Sequence, residues 1–266
     1  MTPTQLKNFD IPLPPTQNDL PYDDGVPMES QRHIMQMELL INGLLPWLDA
    51  REDGYVGGNM FVYYSMKQVR NQDFRGPDVF VALDVPKGER KSWVCWEEEK
   101  TPDVVIELLS DSTREVDQGE KKLIYQTRLH VPEYFWYDPF NPNEWAGFQL
   151  QGVYQPIPLN AQGQLVSRVL NLGLMQWQGN FKGVTATWLR WAQIDGTLLL
   201  TAEELASQRA EQANQRAEQA NQRAEQAENQ VFQIAQNLLQ TGMNVSQVAQ
   251  ITGLRTEQVT ALREEG

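Results

Sequence analysis

Asp78, Glu107 and the adjacent lysines Lys121 and Lys122 offer two carboxylates and an ammonium, groups able to hold a cation and polarise a phosphate. Glu107 lies inside Pro102-Asp103-Val104-Val105-Ile106-Glu107-Leu108-Leu109-Ser110, an apolar run that reads as a strand. Alternate strand residues share a face, so Glu107 falls with Asp103, Val105 and Leu109, while Ile106 and Leu108 face the other layer. A lone buried carboxylate is expensive; it must be paired, protonated, at an accessible strand end, or on a metal. Asp78 follows Gly76-Pro77 at the start of a neighbouring β run and supplies a second hard oxygen donor. Mg2+ characteristically takes one or two carboxylates and keeps waters for substrate and nucleophile. An ammonium from Lys121 or Lys122 would polarise a scissile phosphate or orient the attacking water. The competing reading is that Glu107 simply pairs with one of these lysines.

Periodicity shows which helices and strands carry these groups. Ile34, Met37, Leu40, Ile41, Leu44, Leu45 and Leu48 recur at three and four, which predicts a first helix over 29–48. Short β-rich runs at 56–66, 78–85, 92–97 and 103–109, separated by Gly, Pro, Asp or charged stretches, predict a meander of strands. The polar stretch 112–128, with Val116, Leu123, Ile124 and Tyr125, suits an amphipathic helix leading into the aromatic strand 133–138. Trp- and Gly-rich strands around 144–157 and 165–191 complete the sheet or wrap one edge. The fold class is therefore α/β, a mixed sheet flanked by helices.

Composition bounds what such a site can do. The chain has 266 residues, 41% of them hydrophobic, which allows one full domain plus an appendage. Its formal net charge is −13, and the acidity is spread along the chain. That counts against a simple electrostatic DNA clamp: binding DNA would need a local basic groove, a metal ion or a partner. The single cysteine, Cys95, cannot form an internal disulfide and reads as an inert buried thiol. With no signal segment and no 18-residue apolar run, the expected compartment is the cytoplasm.

Residues 1–27 are proline-rich and read as an extended arm; a nuclease-like domain is expected over 28–195. A heptad-repeat helix follows over 201–240, then a small helical segment over 241–266. The heptads QRAEQAN, QRAEQAN and QRAEQAE occupy 208–228, and Ala210, Ala213, Ala217, Ala220, Ala224 and Ala227 alternate at three and four. Val231, Ile234 and Leu238 continue that register, so the stretch is either a coiled-coil seam with a small core or a single solvated helix. Two short helices around Gly253 fit a helix-turn-helix, read either as a DNA reader with a thin contact set or as a protein-interaction module.

Taken together, Gly76-Pro77-Asp78, Ile106-Glu107-Leu108-Leu109-Ser110, Asp117, Glu120-Lys121, Tyr125 and 131–139 (VPEYFWYDP) resemble the Uma-type restriction endonucleases. That family belongs to the PD-(D/E)XK nuclease superfamily. The resemblance runs from about Leu20 to Trp191 and includes Gly57-Gly58-Asn59-Met60 and Trp188-Leu189-Arg190-Trp191. It implies a restriction-endonuclease-like core and magnesium-dependent phosphodiester hydrolysis, with Asp78 and Glu107 as the metal carboxylates. The superfamily asks for lysine two residues after the acid, where this chain has Leu109. The lysine must therefore have migrated to the helix, where Lys121, four residues before Tyr125, fits better than Lys122.

The resemblance also implies an accessory acid from the first helix, Glu29 or Glu38. His33, one turn from Glu29, is a further accessory candidate, weighed against a capping or surface role. Tyr125 is expected to pack and offer its hydroxyl to a hydrogen bond, and Ser110 and Asp117 to shape the strand-to-helix turn. The expected function is an Mg2+-dependent DNA endonuclease, with Mn2+ as a substitute ion, working as a homodimer. Against it stands a catalytically inactive nuclease-fold scaffold that recruits partners through residues 203–240. A glycosidase with paired acids is a third, poorly supported class.

Overall fold

The first helix, α1, runs Gln31–Asp49 and begins where Ser30 turns its hydroxyl back to accept from the His33 amide at 3.3 Å. The computed structural model describes residues 14–20, 30–65 and 74–264; Glu29 and most of the expected arm lie outside them. Leu40, Leu44 and Leu48 form one buried stripe of α1, as the three-and-four spacing predicts.

Twelve short strands follow among the described residues: β1 Tyr55–Gly57, β2 Val62–Tyr63, β3 Phe74–Arg75, β4 Val79–Ala82, β5 Trp93–Val94 and β6 Val104–Leu108, then β7 Glu133–Tyr137, β8 Trp145–Gln151, β9 Val153–Pro156, β10 Leu165–Ser167, β11 Leu172–Phe181 and β12 Val184–Ala192. They form a six-stranded sheet in the order β1-β4-β6-β7-β8-β9 and two three-stranded sheets, β10-β11-β12 and β3-β2-β5. The expected single meander is corrected here. β2, β3 and β5 leave the main sheet to pair among themselves, and β6 pairs in parallel with β7. Parallel neighbours need a crossover, and the helical segment between β6 and β7 supplies it.

That segment, α2, is wound as α over Arg114–Val116 and Lys122–Ile124 and as π over Asp117–Lys121 and Tyr125–Leu129. It ends at His130, whose left-handed backbone (φ 51°) turns the chain toward β7. The two faces of the main sheet carry separate cores. Val79, Val81, Val104, Ile106 and Leu108 pack with α1 and with Leu172, Leu174 and Trp191 of the β10–β12 sheet. Phe80, Val105 and Tyr134 pack with Tyr125 and Leu129 of α2. The alternation within β6 is the one its sequence predicts.

The chain divides into two compact units, Met1–Glu203 and Glu204–Gly266. The long helix α3 runs Ala202–Gln240, and residues 206–230 are exposed along their whole length, all six heptad alanines included. In the second unit Ala235 of α3 packs on Val248 of α4 (Val245–Thr252) and Val259 of α5 (Thr256–Glu264). Asn244 and Gln247 cap α4 reciprocally, and Gly253 ends it in the left-handed region at φ 75°. No helix among the described residues is long and apolar enough to cross a membrane.

Candidate active site

The strand register builds the first half of the site. Val79 of β4 lies opposite Ile106 of β6 in antiparallel pairing, so the preceding residue, Asp78, falls opposite Glu107 on the α2-facing side. One Asp78 oxygen accepts the Leu108 amide at 2.7 Å. The Asp78 carbonyl accepts the Asn59 amide at 3.2 Å. Gly58 is required at that approach, because a β-carbon there would stand 2.6 Å from the Asp78 carbonyl oxygen. These contacts fix Asp78 through backbone groups on both sides.

α2 builds the other half. Asp117, Lys121 and Tyr125 are spaced by four and look onto Glu107. In an ideal α-helix, residues eight apart drift by about 80°. The π turns at Asp117–Lys121 and Tyr125–Leu129 unwind part of that drift and keep the three on one line. Lys121 Nζ lies 3.2 Å from Glu107 Oε2 and 2.8 Å from Asp117 Oδ1. The Asp117 contact is a charge contact without an aligned hydrogen bond. The buried Tyr125 hydroxyl donates to Glu107 Oε1 at 2.8 Å.

Burial sets the electrostatics. Glu107 is fully buried, and its carboxyl is pushed up to about 8. Desolvation is the main cause; Lys121 and the Tyr125 hydroxyl oppose it, while Asp78 and Asp117 add to it. Asp78 is raised for the same first reason, against the pull of Lys121 and the Leu108 amide. Burial alone would lower Lys121, but Glu107, Asp117 and Asp78 together raise it, so it stays an ammonium. Three carboxylates thus share one lysine, an excess of two negative charges when all are ionised. Asp78 and Lys121 are partly buried residues, whereas Glu107 and Asp117 are fully covered.

The donor set fits a hard divalent cation. Among the described residues no three His, Cys, Asp or Glu side chains form a ready-made metal cage. Mg2+ needs none, since it is held by one or two carboxylates and retained waters. Asp78 and Glu107 are the pair that would hold it, and the unbalanced charge is what it would neutralise.

The remaining candidates are placed elsewhere. Lys122 lies over the rings of Phe148, at 3.3 Å, and Trp136, at 5.1 Å, so it belongs to the sheet surface. Glu38 pairs with Lys182 at 2.6 Å. His33 is neither at the surface nor in the cluster: it is buried, with Nε2 3.1 Å from the Leu109 carbonyl and Nδ1 2.7 Å from the Ser30 hydroxyl. Ser110 makes the expected turn, accepting from the Thr113 amide at 3.2 Å. Asp117, read from sequence as a turn residue, is a member of the cluster. Its spacing of four to Lys121 and eight to Tyr125 was the signal available.

Solved structures that resemble the chain include a protein from Anabaena variabilis ATCC 29413 described as a putative nuclease belonging to DUF820. It shares 14% identity, with a TM-score of 0.41, over 59% of this chain and 86% of that one. None of the curated proteins matches this chain in sequence. The Uma2 family, described as "Putative restriction endonuclease", matches residues 10–178, more than half of the chain and a span that contains Asp78, Glu107, Asp117, Lys121 and Tyr125; the chain belongs to that family.

Proposed function

We propose that the chain is an Mg2+-dependent endonuclease that hydrolyses phosphodiester bonds in DNA, with Asp78, Glu107 and Lys121 as its catalytic residues. The observation that carries this reading is the buried excess of carboxylate over lysine on the sheet face, which a divalent cation would balance. A bound cation supplies Lewis-acid polarisation of a phosphate oxygen and a more acidic water at neutral pH. Asp78 and Glu107 would hold it, Asp78 fixed by the Leu108 amide and Glu107 by the Tyr125 hydroxyl. The Lys121 ammonium donates to the phosphate oxygen on which negative charge builds. A sugar-cleaving role suits the geometry less well, because paired glycosidase acids stand at least about 5 Å apart and Asp78 and Glu107 lie side by side.

The working form in this reading is a cytoplasmic homodimer, so that two sites cut two strands. In the heptad register that puts the alanines at a and d, Arg209, Arg216 and Arg223 occupy g. A parallel pair places Arg223 against Glu228 of the partner subunit, whereas an antiparallel pair brings the arginines together. Nicking of supercoiled plasmid with Mg2+ tests the activity. Cleavage by the wild type, lost in Glu107→Gln and Lys121→Met, supports it. No cleavage by a folded wild type leaves the second reading, a silent nuclease-fold scaffold, which Leu109 in place of the strand lysine favours.

A further inference from the structure

We propose that Asp117 is a positioning residue that gives the Lys121 ammonium a second anchor beside Glu107, so that a divalent cation can take the Glu107 and Asp78 carboxylates without losing the lysine from the site. The inference rests on the metal-site reading above and assigns Asp117 a part in it.

The lysine stands between two acids: it donates a hydrogen bond to Glu107 Oε2 at 3.2 Å and lies in charge contact with Asp117 Oδ1 at 2.8 Å. Were Glu107 its sole partner, a cation taking the Glu107 oxygen would leave the ammonium with no acid to hold it. Asp117 gives the ammonium a second place to rest. When a cation takes the Glu107 oxygen, Lys121 stays beside the site on Asp117 instead of swinging into solvent.

Asp117 is itself built in place. It is 1% exposed; its amide donates to the Thr113 carbonyl at 2.9 Å, and its carbonyl accepts the buried Tyr134 hydroxyl at 2.8 Å. Its Oδ1 is buried without an aligned hydrogen bond and points at the lysine. The ammonium 2.8 Å away is what compensates that buried oxygen, so the two groups depend on each other for their placement. Asp117 also answers the loss of lysine at Leu109. A lysine on the strand is aimed by the strand, whereas one on a helix needs a neighbour to aim it, and Asp117 stands one turn before it. Glu120, the other acid beside Lys121 in sequence, is turned outward to Arg75 at 2.7 Å and does not serve.

The test is a double-mutant cycle on the full chain, read by isothermal titration with Mn2+ alone, with no DNA and no turnover. Asp117→Asn removes the holder, Lys121→Gln removes what is held, and thermal melts confirm that each variant folds. Loss of an outer-shell partner costs about 10–100-fold in metal affinity. The proposal predicts that Asp117→Asn weakens Mn2+ binding at least about tenfold more when Lys121 is present than in the Lys121→Gln background. Equal losses in both backgrounds overturn it, because Asp117 would then act on the ion directly or on the framework. No loss in either also overturns it. A folded wild type that fails to bind Mn2+ overturns the metal site itself, and this inference with it.

Discussion

Glu107 and Glu133 are both fully buried acids, on the adjacent parallel strands β6 and β7, and they look out of opposite faces of the same sheet. Burial raises both carboxyls. Their surroundings differ in kind. Glu133 accepts from the Ser167 hydroxyl and from the Arg168 amide at 2.7 Å, and so ties β7 to the turn between β10 and β11. Glu107 faces a lysine, a tyrosine hydroxyl and two further carboxylates. A buried acid surrounded by donors serves the fold; one surrounded by other acids costs the fold stability and is kept for what it can bind.

Exchanging the charge on each glutamate breaks the comparison most directly. Glu107→Gln is expected to lower DNA cleavage by about a thousandfold, the scale of losing a main electrostatic element of a site, while thermal melts show no loss of stability. Glu133→Ala should do the reverse: by leaving the Ser167 hydroxyl and the Arg168 amide without an acceptor, it should cost about 2–4 kcal/mol in urea denaturation. A Glu107→Gln variant that unfolds, or a Glu133→Ala variant as stable as the wild type, would contradict the division of roles.

Without a metal ion the Glu107 carboxyl holds its proton up to about 8 in the fold, against 4.5 ordinarily. Between those values the unfolded chain has released the proton and the folded chain has not. Stability is therefore greatest below about pH 4.5 for this group and falls as pH rises toward 8. Urea midpoints in the presence of chelator should show that fall, and Glu107→Gln should flatten it.

The smallest expected effect lies far from the sheet. Ala217→Gly on the exposed helix α3 should cost about 1 kcal/mol of local helix stability, seen in circular dichroism.

Much of this was legible in the residues. A charge inside Val-Val-Ile-Glu-Leu-Leu cannot be idle, and the four-residue step to Tyr125 separates Lys121 from Lys122, which the structure turns onto Phe148. The stripe of α1 and the alternation of β6 follow from periodicity alone. The parallel pairing of β6 with β7 was less legible, because a strand buried on both faces looks the same whichever way its neighbour runs. The burial of His33 and Asp117 was not legible either: each is polar on a helix that reads as amphipathic, and only the sheet packed against that helix determines which polar residues are covered. The sheet β10–β12, expected to join or edge the first, is a separate layer, since its Leu172, Leu174 and Trp191 cover α1 instead.

If the face carrying Asp78 and Glu107 binds a divalent cation, Mn2+ titration of the wild type and Glu107→Gln will show it. Saturable binding by the wild type that disappears in the folded variant is the predicted result. Binding of equal strength in both, or none by a folded wild type, would contradict it.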